Sequence, residues 1–290
     1  MPARAMAVIL GGGAAAALAA SPVDPVVLPG AVSTAAAEVR IAWRPDGRQV
    51  LWGSIGRDGA ADQEDVWEMH RIGETGWSPP ARASFDTDAV EFDPAFSPDG
   101  REVYFHSDRP GGFGGTDLYV ASVDPESGRF GPPHNLGPRI NSAGDEWAPM
   151  PIGDGRLIFA SDGWGGFGGH DLFEGRLDGA APPRNLGSAI NGPDEDFDAA
   201  VSPDGRTIVF SSGIMSDDAA QVRLHVANRT DDGWTPRMVL DVGCSDFVIG
   251  AAFDPRHPDR FYYAANCPGG LGRMDIHGAP LPAPASRGGA

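Results

Sequence analysis

The sequence contains no lysine, since all 22 of its basic residues are arginine, and 40 acidic residues outnumber them. The formal net charge of −18 disfavours binding to nucleic acid or to anionic lipid, because these surfaces are themselves negative. Cationic partners, metal ions and neutral ligands are compatible with this charge. The composition therefore excludes nucleic acid as a partner but does not identify another.

The sequence also lacks an apolar run long enough to span a membrane as a helix. A shorter apolar stretch over 5–20 follows Arg4 and ends in small residues, which predicts a signal peptide over 1–20. A disordered Ala/Gly tail is the alternative. Export would place the chain in a periplasm or outside the cell.

Only two cysteines, Cys244 and Cys267, are present. In an oxidising compartment they can pair as a disulfide, and two buried thiols are the alternative.

Catalytic signatures are missing as well. The sequence has no GxSxG or HExxH motif, and its seven histidines are scattered without the spacing of metal ligands. No segment shows a helical period of 3.6 residues. These absences favour an all-β protein that carries no recognisable catalytic motif.

A short phrase recurs along the chain. Residues 42–48 read AWRPDGR, 95–101 read AFSPDGR and 200–206 read AVSPDGR, with degenerate copies at 153–156 and 253–255. Successive copies of the turn aspartate are 53, 55 and 50 residues apart from Asp46 to Asp204. Pro, Asp and Gly in this order form a tight hairpin turn. A period of this size with strand-like segments predicts a β-propeller.

The repeats predict five four-stranded antiparallel blades within one domain over 21–278. A second phrase, PHNLGPRIN at 133–141 and PRNLGSAIN at 183–191, marks the fourth strands, and 25–33 (PVVLPGAVS) fits it. The last repeat lacks its own fourth strand, so residues 24–30 are expected to complete it and to close the ring. The predicted blades span about 38–83, 84–137, 138–187, 188–243, and 244–277 with 24–30; a disordered tail is expected at 279–290.

Residues 96–100 (FSPDG) with 103–105 (VYF), and 107–115 (SDRPGGFGG) with 117–119 (DLY), resemble the TolB-type, WD-like β-propeller repeats of bacterial envelope proteins. The resemblance covers about 24–277. It implies a propeller that serves mostly as a scaffold for binding proteins or ligands. We expect neither the extra N-terminal domain of TolB nor the OmpA-like domain often found beside such repeats, so no binding residues follow from the resemblance.

Acidic residues recur eight positions before the turn aspartate, each followed by an apolar residue. They are Glu38, Glu91, Glu146 and Asp196, and Asp246 is expected to continue the series. Strand alternation would direct them to one mouth of the channel. There they could cap strand ends, bind a cation such as Ca²⁺ or a cationic partner, or catalyse, with Glu91 and Glu146 as the candidate pair of a glycoside hydrolase.

Glycine-rich loops at 111–115 and 165–169 read GGFGG and are expected on the same face. Phe113 and Phe167 could fold back onto their blades, or form, with Trp164, an aromatic platform for a sugar or peptide. The sequence therefore favours a monomeric, exported, non-catalytic scaffold that binds an envelope protein or an extended ligand such as a peptide or glycan. No cofactor is expected, with Ca²⁺ as the one candidate, and a glycoside hydrolase is the alternative.

Overall fold

The computed structural model describes residues 18–19, 28, 30–57, 59, 63–215 and 221–281, and within them every regular element is a β-strand. Five antiparallel sheets follow one another along the chain. Their first strands contact each other in cyclic order, and the first strand of the first sheet contacts that of the last. The predicted all-β, five-bladed propeller is confirmed. None of the described residues form a helix that could cross a membrane.

The blades are built from the following strands. Blade 1 contains β2 (Ala37–Trp43), β3 (Gln49–Ile55), β4 (Glu64–Ile72), β5 (Gly76–Trp77) and β6 (Ala81–Arg82). Blade 2 contains β7 (Glu91–Phe96), β8 (Glu102–Ser107), β9 (Asp117–Ser122) and β10 (His134–Asn135). Blade 3 contains β11 (Glu146–Gly153), β12 (Arg156–Ser161), β13 (Asp171–Arg176) and β14 (Arg184–Asn185).

The remaining blades are less regular. Blade 4 contains β15 (Glu195–Val201), β16 (Thr207–Ile214), β17 (Gln221–Thr230), β18 (Gly233–Trp234) and β19 (Met238–Asp241), and β1 (Leu18–Ala19) pairs in parallel with β19. Blade 5 contains β20 (Val248–Phe253), β21 (Arg260–Ala265) and β22 (Asp275–Pro280). The last strand continues through Pro280, two residues beyond the predicted end of the domain at 278.

The predicted signal peptide and closing strand lie mostly outside the described residues. Of 1–20, only the backbone of β1 is described, and of 24–30, only Leu28 and Gly30. Leu28 packs in one apolar cluster with Val32, Trp52 and Ile276 of β22. The chain entering blade 1 therefore packs against the third strand of blade 5.

An aromatic side chain at the same register of every second strand fills the core between the blades. These residues are Trp52, Phe105, Phe159, Phe210 and Tyr263, all with at most 1% of their surface exposed. Full burial of such a side chain is worth about 3 kcal/mol in apolar transfer alone. The core of this fold thus consists of apolar clusters at the blade interfaces rather than one central cluster.

A β-bulge interrupts the first strand of every blade. The register shifts at the same place in β2, β7, β11, β15 and β20, and one residue there has a positive φ. These residues are Arg40 (φ 47°), Asp93 (φ 52°), Ala148 (φ 51°), Asp198 (φ 52°) and Gly250 (φ 69°). Because non-glycine residues seldom adopt this conformation, its repetition shows that the ring geometry imposes it.

A disulfide joins Cys244, in the segment entering blade 5, to Cys267, which follows β21; their Cα atoms lie 5.0 Å apart. The bond fastens the loop between blades 4 and 5 to the second strand of blade 5. The two cysteines are 23 positions apart in the sequence, and a loop of this length gives about 3 kcal/mol of stabilisation on the chain-entropy model.

We therefore expect the double variant C244S/C267S to lower the free energy of unfolding by about 3 kcal/mol, measured by urea denaturation. Reduction of the wild type should produce the same loss and should leave the double variant unchanged. An unfolding midpoint insensitive to reductant would contradict this assignment.

A buried carboxamide or carboxylate ties the fourth-strand segment to the third strand in three blades. Asn141 Oδ1 accepts the N–H of Leu118 at 2.8 Å, and Asn191 Oδ1 accepts that of Leu172 at 2.9 Å. In blade 1 the same position is Asp86, whose Oδ1 accepts the N–H of Val66 at 2.9 Å. Burial raises the pKa of Asp86 to about 7, although the Val66 N–H and the guanidinium of Arg82 act in the opposite direction.

Asp86 should therefore make stability depend on pH. Its pKa is higher in the folded chain than its ordinary 3.8, so its contribution is full below that value and is lost as pH rises through about 7. D86N places the asparagine of blades 2 and 3 in blade 1 and removes this titration. The stability of the wild type relative to D86N should fall with rising pH by roughly 2–4 kcal/mol in total. Denaturation from pH 4 to pH 8 measures it, and a pH-independent difference would contradict it.

Candidate functional site

The acidic residues expected at the channel mouth lie at the start of the first strands, and their side chains are fully buried. Glu38, Glu91, Glu146 and Asp196 each have 0% of their surface exposed. Each carboxylate accepts the backbone N–H of the residue four positions upstream, at 2.5–3.0 Å; these residues are Thr34, Thr87, Ser142 and Gly192. The repeated acid therefore fixes the loop that connects one blade to the next.

The four carboxylates differ in how their charge is compensated. Glu91 accepts from the guanidinium of Arg109 at 2.8 Å, and Asp196 from that of Arg237 at 2.6 Å. Arg57 lies 3.8 Å from Glu38. Among the described residues no arginine pairs with Glu146.

Within the described part of the chain, Glu146 has two hydroxyl donors and no arginine, whereas Glu91 has the equivalent hydroxyls of Thr87 and Ser107 as well as Arg109. Ser142 Oγ and Ser161 Oγ each donate to this carboxylate at 2.6 Å. Burial raises the pKa of Glu146, and the hydrogen bonds from the two serines act in the opposite direction. Burial likewise raises the pKa values of Glu38 and Asp196.

The predicted acidic face needs two corrections. The four buried carboxylates have no surface with which to contact a ligand, and their hydrogen bonds to the loops hold them inside the fold. Asp246 does not continue the series, since its side chain is 70% exposed and pairs with Arg223 at 2.6 Å. The equivalent position in blade 5 is Val248, two residues before the bulge at Gly250. The strand register makes Asp254 equivalent to Ser97, two residues before the turn aspartate, so counting back eight residues from Asp254 overshot Val248 by two.

A second kind of buried acid directly follows each glycine-rich loop. Asp117 Oδ2 accepts the N–H of Phe113 at 2.7 Å, and Asp171 Oδ2 accepts that of Phe167 at 2.6 Å. Asp275 accepts the N–H of Leu271 at 2.7 Å in the shorter loop of blade 5. Each loop is thus closed by the aspartate that begins the third strand.

Glycine is required where these loops approach the following blade. A Cβ built on Gly114 would lie 1.9 Å from the carbonyl oxygen of Gly144, and one on Gly168 would lie 2.2 Å from that of Asp194. Such distances are far below van der Waals contact. The glycines therefore allow each loop to dock against the acid-bearing loop of the next blade.

Docking of the loops leaves their central side chains exposed. Phe113 is 49% exposed, Phe167 is 52% exposed and Leu271 is 51% exposed. The interpretation in which both phenylalanines fold back onto their blades is therefore wrong. Trp164 does not join them as a fully open platform, because its ring is half-buried and its Nε1 donates to the carbonyl oxygen of Ile140 at 2.9 Å.

The channel centre holds a charged cluster that the sequence analysis did not identify. Arg40 lies 3.6 Å from Asp198 and donates to the carbonyl oxygens of Pro149 and Ala199, both at 3.2 Å. Burial raises the pKa of Asp93 well above its usual range, and the charge of Asp198 adds to this effect. Asp93 also shares a hydrogen bond with Asp198.

The cluster is sealed from solvent, as Arg40, Asp93 and Asp198 are each at most 5% exposed. Burial also lowers the pKa of the neighbouring His106 to about 3, so this imidazole is neutral at physiological pH. Arg40, Asp93, Asp198 and the neutral imidazole of His106 therefore bridge blades 1, 2 and 4 at the channel centre. Arg40, Asp93 and Asp198 each follow a buried acid by two residues, so their positions could have been located from the sequence. Their contacts could not.

The channel widens into a cavity of about 480 Å³ on the side of the hairpin turns, with Arg40 at its inner end. Its wall is mostly apolar and includes Trp43, Phe96, Met150 and Phe253. This cavity and the glycine-rich loops lie at opposite ends of the first strands. The two ends of the channel therefore differ in chemistry.

Solved structures share this architecture at low sequence identity. TolB from Acinetobacter baumannii matches over 84% of this chain and 54% of its own, with a TM-score of 0.53 and 16% identity. The fold is that of a TolB-like β-propeller.

This TolB-like propeller spans about half the length of the Acinetobacter protein. Two further structures match the same fold. The Kuenenia stuttgartiensis hydrazine synthase matches with a TM-score of 0.51 and 13% identity, over 84% of this chain and 40% of its own. The Hadza microbial sialidase Hz136 matches with a TM-score of 0.50 and 10% identity, over 86% of this chain and 66% of its own. No protein-family model and no curated protein sequence matches the chain. These likenesses identify the propeller fold alone.

The buried acids provide a matched pair of variants. E91Q leaves the guanidinium of Arg109, 18% exposed, without its anionic partner, whereas E146Q retains an acceptor for Ser142 and Ser161 and has no arginine to disrupt. We expect E91Q to cost about 3 kcal/mol of unfolding free energy and E146Q about 1 kcal/mol or less at pH 7. Urea denaturation of both variants measures this, and equal losses would show that Arg109 is not the reason for the difference.

Proposed function

We propose that this protein is an exported, non-catalytic scaffold that binds a protein or another extended ligand across the face formed by its glycine-rich loops. The main support is the exposure of Phe113, Phe167 and Leu271 at the tips of three equivalent loops. Single exposed apolar residues are common on proteins, so the support lies in their repetition at one position of three loops on one face. The binding face is defined here by these three loops and by the blade-connecting loops against which they pack.

Rigidity of the loops supports this assignment. Asp117, Asp171 and Asp275 are at most 1% exposed, and each accepts backbone N–H groups of its own loop. A side chain on a loop held in this way loses little conformational entropy when a partner covers it. The loops thus present preorganised apolar anchors.

Charge on the same face indicates the chemistry of the partner. Asp108, Asp162 and Asp194 are exposed beside the loops of Phe113 and Phe167. Together with the net charge of −18, they favour a partner that combines basic and apolar groups. A basic segment of an envelope protein meets this requirement better than a neutral glycan does.

Export rests on the apolar N-terminal stretch over 5–20 and on the Cys244–Cys267 bond, which suits an oxidising compartment. We place the protein in the periplasm or outside the cell, where it acts as a monomer.

The geometry of the buried carboxylates at the start of the first strands does not favour catalysis. A glycoside hydrolase requires two carboxyl groups that reach the scissile bond. Glu91 and Glu146 are fully buried and bound to their own loops. The scaffold is therefore the function that the described residues support best.

Truncation of the apolar tips tests the proposal. The double variant F113A/F167A should capture the principal partner from an envelope extract at least about tenfold less efficiently than the wild type, because buried aromatic anchors carry 1–3 kcal/mol each at interfaces. Quantitative mass spectrometry of the captured proteins provides the measurement.

I72A is the matched control, because Ile72 is 59% exposed but lies at the far end of β4, towards the hairpin turns. It should retain full capture. Equal capture by F113A/F167A and the wild type, or an equal loss in I72A, would reject the loop face as the binding site.

A further inference from the structure

Three side chains of blade 3 converge beside the channel. Asp145 precedes β11, and Asp162 and His170 lie at the two ends of the glycine-rich loop between β12 and β13. One donor atom from each lies within 4.8 Å of the other two. These residues are distinct from the buried acid Glu146 and from the exposed Phe167.

His170 is the most informative member of the cluster, because its side chain is only 8% exposed and only one of its ring nitrogens is hydrogen-bonded. Nδ1 lies 2.9 Å from Glu195 Oε2, whose carboxylate also accepts the backbone N–H of His170 at 2.6 Å. The ring stacks on Trp147 with centroids 3.6 Å apart. Nε2 is buried and has no hydrogen-bond partner among the described residues.

An unpaired nitrogen at such a depth is costly unless something binds it. A carboxylate on one imidazole nitrogen that leaves the other as a lone-pair donor is the arrangement found around metal-bound histidines. Glu195 therefore orients His170 so that Nε2 is the atom available for a ligand.

Both aspartates are also held in place. Asp145 Oδ1 accepts from the backbone N–H of Thr116 at 2.7 Å and from its hydroxyl at 3.0 Å. Asp162 Oδ1 accepts the N–H of Asp145 at 2.7 Å. Each carboxylate thus uses Oδ1 for its loop, and among the described contacts Oδ2 has no such donor.

We propose that Asp145, Asp162 and His170 bind one divalent transition-metal ion of the Zn²⁺ class. Two carboxylate oxygens and one imidazole nitrogen suit Zn²⁺ or Mn²⁺, whereas Ca²⁺ prefers six to eight oxygen ligands. With bonds of about 2.1 Å, tetrahedral ligand atoms lie about 3.4 Å apart, so separations of up to 4.8 Å must shorten by up to about 1.4 Å. Asp162 is the exposed member of the three, so its side chain has the most freedom to move towards the ion.

Three protein ligands leave one coordination position for water or for a donor atom of a bound molecule. The three ligands lie on the same face as the glycine-rich loops. The metal site does not depend on the proposed binding partner, because its argument rests only on the geometry of blade 3.

The repeat itself supplies the comparison that sets this site apart. In blade 2 the equivalent residues are Val90, Asp108 and Thr116, and Asp108 Oδ1 accepts the N–H of Val90 at 2.8 Å, as Asp162 does for Asp145. Blade 2 thus conserves the loop contact but has neither the second carboxylate nor the imidazole. Asp162 thus belongs to the repeat, whereas Asp145 and His170 are departures from blade 2 that complete the ligand set.

The test is titration of the metal-free protein with Zn²⁺ by calorimetry, with Co²⁺ absorption as an independent report on the ligands. The wild type should bind one Zn²⁺ per chain. D162N and H170Q should each weaken binding at least about tenfold, and H170Q should also alter the Co²⁺ bands. D108N is the matched control, which should bind Zn²⁺ as the wild type does.

Thermal unfolding distinguishes loss of a ligand from loss of the fold. Zn²⁺ should raise the unfolding midpoint of the wild type and of D108N, but not that of D162N or H170Q, since only the native site binds the ion. Failure of the wild type to bind Zn²⁺ or Mn²⁺, binding of Ca²⁺ alone, or unchanged Zn²⁺ affinity in both variants would overturn the proposal.

Discussion

A buried carboxylate that binds the loop in front of it is the constraint on which the other contacts of this propeller depend. A charge with no exposed surface must be compensated inside the fold, and the loop four residues upstream of Glu38, Glu91, Glu146 or Asp196 supplies N–H and hydroxyl donors. The connection between blades is therefore an ordered element with a defined backbone path. Its carbonyl oxygens, such as that of Gly144, form the surface against which the preceding blade packs its glycine-rich loop.

This packing explains why both structural and functional groups lie on one face. The glycines bring the loop backbone into contact with the next blade, so the side chain between them has no core position and points to solvent. The same contact brings the Thr116 hydroxyl to Asp145 and the imidazole of His170 to Glu195. Side chains at these positions can vary between blades because the backbone contacts already hold the loops.

The blade count could be predicted from the sequence because the Pro-Asp-Gly turn is local chemistry and marks each hairpin independently of the rest of the chain. The position of the repeated acids followed from the same frame. Their role did not, because the depth of Glu91 or Glu146 is set by the loop and the neighbouring blade rather than by strand alternation. Asp246 was misplaced because Asp254 was counted as the turn aspartate. The register of β20 with β21 puts Asp254 two residues earlier in the turn, and the bulge at Gly250 shows that Val248 occupies the fifth position.

The charged centre of the channel shows what a repeat frame cannot provide. Arg40, Asp93, Ala148, Asp198 and Gly250 occupy one structural position, yet they differ in charge and size. The buried charge of Arg40 is compensated by Asp198, three blades further along the chain, and by backbone carbonyl oxygens. These contacts form only when the ring is closed, and no local sequence motif predicts them. Positions that are alike in every blade serve the architecture, because the same packing problem recurs five times. At positions that differ, such as the bulge residues and the ligand cluster of blade 3, one blade makes contacts that its neighbours do not make.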